Sequence, residues 1–194
     1  MAHPPQFDLA RAFGLYEGAL REIVHALKYR GHQSLGAPLG ALMKTAGSAL
    51  LAQADAVVPV PLHPWRQWRR GFNQADELAQ ALGRPVWRPL RRRSLGVPQA
   101  KLSGEQRRTN VRTAYGVSRA RAGATSKRPK YVVLIDDVMT TGATLDACSR
   151  ALREGGVEWV AALTLGRAAS SAASAGATQR PPPPHAPHSS GVRR

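Results

Sequence analysis

A chain of 194 residues with 43% hydrophobic content can bury one good core, and little length remains for a second. No apolar run approaches the roughly 18 to 20 residues of a membrane-spanning helix, and no basic region followed by an apolar block opens the chain, so a cytoplasmic location without membrane insertion is expected. A single cysteine, Cys148, excludes an internal disulfide and a thiolate zinc cluster, while a net charge of +16 draws polyanions: phosphate esters, pyrophosphate or nucleic acid.

The first fifteen residues are expected to form a flexible terminus ahead of one domain over residues 16 to 167. From Tyr16 to Arg30, Leu20, Ile23, Val24 and Leu27 fall at helical spacing, and Gly31 is placed to end the helix. A weaker helical stretch, Leu39 to Gln53, is interrupted by Gly40 and Gly47. "DAVVPVPL" suits a short buried parallel strand, with Pro59 and Pro61 confining the hydrogen-bonded part to its beginning.

A basic turn, "HPWRQWRRGF", comes next. Asn73 then caps a helix that carries Leu78, Ala79 and Leu82 and closes at Gly83. "RPVWRPL" is a candidate second strand. Residues 91 to 129 show little apolar periodicity and read as a long mobile loop with a hairpin or short helix around Leu102 to Val111. Much of the charge gathers here: between Arg84 and Lys130 there are fourteen Lys and Arg against one acid, Glu105.

Order returns at "KYVVLID", a strand ending on paired aspartates. A helix from about Ala143 to Glu154 follows, with Leu145, Cys148 and Leu152 on one face, and "VEWVAALTL" supplies another strand. Strand, helix, strand implies a parallel pair with a right-handed crossover. Cys148 falls on the apolar face as a small core filler. Residues 168 to 194, rich in Ala, Ser and Pro, have almost nothing to bury and are expected to be a disordered tail.

The segment "VVLIDDVMTTGAT" carries the chemistry. A parallel strand delivers Asp136 and Asp137 to the carboxyl edge of the sheet, where open α/β folds place ligands. Thr140, Thr141, Gly142, Ala143 and Thr144 then form a small hydroxyl-rich turn opening a helix, so backbone N–H groups and the positive end of the helix dipole converge on one anion. Carboxylates just upstream would repel that anion but accept hydrogen bonds from vicinal hydroxyls, and a sugar phosphate satisfies both halves. A nucleoside-triphosphatase strand also ends in acids, yet Ala37 and Pro38 stand where its glycine-rich motif needs Lys and Ser or Thr. A phosphoacceptor receiver domain would spread its aspartates over two strands. A strand that merely ends in acid before a capped helix is the remaining alternative.

This order of hydrophobics, two acids, spacer and T-T-G-A-T resembles the signature of type I phosphoribosyltransferases. The resemblance implies an α/β, Rossmann-like parallel sheet flanked by helices with a mobile hood or loop. It also implies Asp136 and Asp137 on the ribose 2- and 3-hydroxyls as the catalytic pair, and residues 140 to 144 on the 5-phosphate. "VPVPLHPWRQWRRGFNQADELA" narrows the likeness to the ComF, or GntX-like, family through P-V-P-L at Pro59 to Leu62 and R-G-F-N-Q at Arg70 to Gln74. "KYRG" at Lys28 to Gly31 and the loop residues Gln99, Leu102, Arg107, Asn110 and Val111 extend it over about residues 14 to 167.

By position, Leu62 to Arg70 would be the pyrophosphate loop, with Pro61, Leu62, Arg66, Arg69 and Arg70 as its contacts. Lys101, Arg107 and Arg108 would belong to a closing loop. Trp65, Trp68 and Phe72 either stack a base or pack beneath the loop. The implied cofactor is Mg2+ accompanying phosphoribosyl pyrophosphate, with no protein group ligating it directly. Many ComF-like chains begin with a four-cysteine zinc module that has no counterpart before Tyr16; loss of the module and a misplaced start codon are both open.

The expected ligand is phosphoribosyl pyrophosphate or a nucleotide-like relative, with transfer of the phosphoribosyl group as the reaction if the site is catalytic. The alternative is a non-catalytic competence accessory binding single-stranded DNA or a helicase partner. A homodimer is left open, as are the acceptor and the general base.

Overall fold

The computed structural model describes residues 4–29, 32–62, 64–92, 114–118 and 128–169. Its main sheet has four parallel strands in the order β1-β6-β5-β2: β1 Leu9–Leu15, β2 Ala56–Pro59, β5 Tyr131–Met139 and β6 Trp159–Arg167. A two-stranded antiparallel sheet, β3 Leu90–Arg92 with β4 Tyr115–Val117, stands apart from it. The helices are α1 Gly18–Tyr29, α2 Gly36–Ala46, α3 Ser48–Gln53, α4 Pro64–Arg70, α5 Gln74–Gln80 and α6 Ala143–Glu154.

Successive side chains of a strand point to opposite faces, so β5 feeds two cores at once. Val133 and Ile135 join Val24 and Leu27 of α1, Met43 of α2 and Leu78 of α5 on one face. Val132 and Leu134 join Leu145, Cys148 and Leu152 of α6, together with Leu90 and Tyr115 of the small sheet, on the other. The strands are buried on both sides, which is why they read as continuous apolar runs.

The first residues depart from the flexible terminus expected of them. Leu9–Leu15 form β1, an edge strand whose whole length pairs with β6. Phe7 is buried, the Asp8 amide donates to the Val160 carbonyl at 2.8 Å, and the Asp8 carboxylate accepts from the Val160 amide and the Arg153 guanidinium. One short apolar stretch too weakly patterned to stand out becomes a strand because β6 offers it a free edge.

Three further differences have local causes. The stretch expected as one helix from Leu39 divides into α2 and α3 at Gly47. "RPVWRPL" contributes a single parallel bridge, Val86 with Val57, and its last residue starts β3; Pro85 and Pro89 lack the N–H groups a longer ladder would need. The expected basic turn after β2 is instead α4, where Pro64 takes the first helical position it favours. Leu102 to Val111, expected to hold a hairpin or short helix, lies outside the described residues, as does the tail from residue 170; β3 and β4, on either side of that stretch, pair antiparallel.

Candidate functional site

Strand β2 ends at Pro59, opposite Ile135, while β5 runs on to Met139. Asp136 and Asp137 therefore stand where β5 outruns its neighbour. The chain leaves β2 toward α5 on one face and leaves β5 toward α6 on the other. Connections that part in this way open a crevice at the carboxyl edge of the sheet, the place where open α/β folds receive ligands.

The two acids divide between the faces. Asp137 continues the Val133–Ile135 side and meets α1: Lys28 Nζ lies 3.1 Å from its Oδ1, with side-chain exposures of 19% and 13%. Asp136 continues the Val132–Leu134 side and shares an electrostatic environment with Cys148 and Tyr115. Burial pushes the Asp136 carboxyl up to about 8, and the Asp137 charge adds to the rise; the Asp137 amide, which donates to Asp136 Oδ1 at 2.9 Å, and Lys28 oppose it. The Asp136 carboxyl therefore holds its proton to higher pH than an ordinary aspartate.

Downstream, Thr140, Thr141 and Ala143 are exposed, Thr144 is half-buried and Gly142 is buried. Gly142 has φ +76°, the left-handed conformation that glycine adopts without strain, and its carbonyl accepts the first bond of α6, from the Asp146 amide at 2.9 Å. The three amides ahead of Asp146 have no carbonyl of the helix to meet. Among the described residues, the Ala143 amide donates to Thr141 Oγ1 at 3.4 Å. An exposed turn at the head of a twelve-residue helix, where the first amides lack helix carbonyls, can hold an oxyanion.

The small β3–β4 sheet lies beside this turn. Tyr115 packs on α6 and approaches Thr144, and Arg92 sits over its ring at 5.6 Å. Burial first, then electrostatic coupling to Cys148 and Asp136, pushes the Tyr115 phenol up to about 12, so it remains a donor. Burial likewise raises the Cys148 thiol well above its ordinary value, which keeps it an inert part of the core.

At the end of β2, the Val60 amide donates to the Ile135 carbonyl at 2.9 Å, and Asn73 Nδ2 donates to the Val60 carbonyl at 3.1 Å. Asn73 also caps α5, accepting from the Ala75 amide at 3.2 Å, as its position before that helix led us to expect. Pro61 and Leu62, half-buried, form the short loop that follows. The rest of the stretch expected as a loop is helical, so the amides of Trp68, Arg69 and Arg70 can meet carbonyls of α4 itself. Arg69 is exposed on α4 over the Trp65 ring at 5.6 Å, and Arg70 is its last, half-buried residue. Arg66 belongs to α4, but its side chain, like all of Lys101, Arg107 and Arg108, lies outside the described residues. Trp65 and Trp68 are exposed at 56% and 83%, whereas Phe72 alone of the three aromatics packs in the core.

Two residues of this edge had no role assigned from sequence. Lys28 stood in the "KYRG" motif, whose helical spacing put it on the sheet side of α1. Gln74 ends the R-G-F-N-Q motif; it is 1% exposed, and neither its Oε1 nor its Nε2 has a hydrogen-bond partner among the described residues. Among the described residues no group of three or more His, Cys, Asp or Glu could cage a metal. Two acids on opposite faces, one of them paired to a lysine, fit Mg2+ only as outer partners of an ion carried by a ligand's own oxygens.

A parallel sheet with an acid pair at its switch point and an exposed, hydroxyl-rich turn directly behind it defines a phosphoribosyltransferase-like α/β protein. The family model described as the phosphoribosyl transferase domain matches residues 68–177. Competence protein F of Haemophilus influenzae is 33% identical over 84% of this chain and 75% of its own length. DNA utilization protein YhgH of Escherichia coli K12 is 30% identical, covering 79% of this chain and 69% of its own, and Competence protein ComFC of Bacillus subtilis is 31% identical, covering 75% and 58%. The chain belongs to the phosphoribosyltransferase domain family and, within it, to the ComF group. Among solved structures, an allosteric regulatory enzyme of purine biosynthesis shares 24% identity at a TM-score of 0.39, over 66% of this chain and 25% of that one. No helix among the described residues is long and apolar enough to cross a membrane.

Proposed function

We propose that the protein binds phosphoribosyl pyrophosphate, or a related ribose 5-phosphate ester, with Mg2+ at the carboxyl edge of the main sheet. The observation that carries this reading is the exposed Thr140–Thr144 turn opening α6 directly behind an acid pair at the switch point. Amides and hydroxyls of the turn hold the 5-phosphate, while Asp136 and Asp137, straddling the edge, accept from the ribose hydroxyls. Pro61 and Leu62 lie on the β2 side, where the pyrophosphate would rest, with Arg66, Arg69 and Arg70 of α4 beyond them; Lys101, Arg107 and Arg108, outside the described residues, are proposed as further cationic contacts. Mg2+ would spread the negative charge of the departing pyrophosphate. Transfer to an acceptor is the corresponding reaction, in which the bond from ribose C1 to pyrophosphate breaks and one from C1 to the acceptor forms.

A thermal-shift titration tests the reading. Mg-phosphoribosyl pyrophosphate at about 100 times its Kd should stabilise the fold by about 2.7 kcal/mol. The double variant Asp136→Asn, Asp137→Asn should remove the shift, and no shift in the wild type at millimolar ligand would refute the proposal. A pyrophosphate-release assay over nucleobases separates an enzyme from a sensor.

A second reading has its own support: a nucleic-acid accessory role. The basic stretch from Arg84 to Lys130 and the exposed Trp65 and Trp68 beside Arg69 suit a single strand, through counterion release and base stacking. Relatives carry the names competence protein and DNA utilization protein. Such binding should weaken steeply with salt and survive the aspartate changes.

A further inference from the structure

The contact between Lys28 and Asp137 is not accounted for by ligand binding, because it occupies a carboxylate that the proposed ligand needs. It is also held from behind. Lys28 Nζ stands 5.9 Å from the centre of the Tyr16 ring, in cation–π range. Tyr16 in turn packs against Gly166, where an added Cβ would come within 3.0 to 3.4 Å of the ring. Gly166 pairs with Val138, the residue after Asp137, and the Tyr16 amide donates to the Arg167 carbonyl at 2.8 Å. The ammonium is thus fixed between a ring anchored on β6 and a carboxylate on β5, with little exposure of either charge.

We infer that Lys28 is a built-in counter-cation that keeps free divalent metal off the aspartate pair, so that metal enters only together with a ligand that brings its own oxygens. The step from contact to consequence is electrostatic. The Asp137 carboxylate at the sheet edge attracts a dication, and a fixed positive charge 3.1 Å from it repels that dication over the same short range. The lysine also fills the position from which a metal would approach Asp137 on the α1 face. A hydroxyl-bearing ligand has no such conflict, since it donates hydrogen bonds without adding charge. This assignment deepens the proposed function and rests on that reading for what the metal accompanies. Lys28 acts through Asp137 and is a positioning residue.

The test is Mn2+ binding to the full chain without any organic ligand, followed by loss of the free-ion electron paramagnetic resonance signal. Lys28→Met should bind Mn2+ at least about tenfold more tightly than the wild type, a change of about 1.4 kcal/mol. Lys28→Arg, which keeps the cation, should stay at the wild-type level. Adding Asp137→Asn to Lys28→Met should abolish the gain. A folded Lys28→Met protein with wild-type Mn2+ affinity overturns the inference, as does a gain that persists without Asp137. Should Lys28→Met not fold, Lys28→Gln takes its place, and the wild type alone still decides: tight Mn2+ binding with Lys28 present would also overturn it. Failure of the wild type to bind phosphoribosyl pyrophosphate would sink the proposed function and leave the Mn2+ comparison intact.

Discussion

Asp136 and Asp137 are adjacent in the chain, yet one faces α6, Tyr115 and a buried thiol while the other faces α1 and a lysine. On the first face burial governs, and the carboxyl retains its proton into the neutral range. On the second, an ammonium at 3.1 Å sets the surroundings. The difference teaches that a pair of like side chains at a strand end need not act as a pair. The pleat sends them to opposite sides, and each takes its chemistry from the layer it enters.

The sharpest way to break this contrast is at the turn, which the structure joins to the Asp136 face alone. Gly142→Val forces a β-branched residue into φ +76°. It should weaken ribose 5-phosphate binding about tenfold or more, and cost about 1 to 2 kcal/mol of stability, in a thermal-shift titration. Unchanged affinity would detach the turn from the site.

A smaller effect should come from Asp136→Asn, read as melting temperature against pH. The folded carboxyl titrates near 8 instead of its ordinary 3.8, so the native state binds the extra proton between those values. Wild-type stability from this group is fully present below the lower value and is lost as pH rises through the upper one. Asn cannot ionise, so the variant should match the wild type near the lower value and exceed it by at least about 1 kcal/mol above the upper one. A difference that does not grow with pH would mean the two faces are electrostatically alike.

The smallest expected change is Tyr115→Phe. It removes a buried phenol that approaches Thr144 and should cost about 0.5 to 1.5 kcal/mol in denaturant unfolding, at the magnitude of one hydrogen bond. A cost above that would give the small sheet a larger part in holding the turn.

Much of this molecule could be read directly from its residues because the relevant signals are local. The run from Val132 to Ile135, the two acids, the T-T-G-A-T turn and the helix Ala143–Glu154 follow one another within a single strand–turn–helix unit. Asn73 announced its cap for the same reason. The pairing of Lys28 with Asp137, the burial of Gln74 and the strand made by Leu9–Leu15 were not legible, since each depends on a partner far along the chain. The helix at Pro64–Arg70 is the intermediate case: its proline signal was present, but the charge and the family likeness drew attention to a loop. Residue order fixes which groups lie one turn or one pleat apart, and so it specified the hydroxyl-rich turn that opens α6. Which face each aspartate serves, and which cation meets it, depended on how distant helices pack across the sheet.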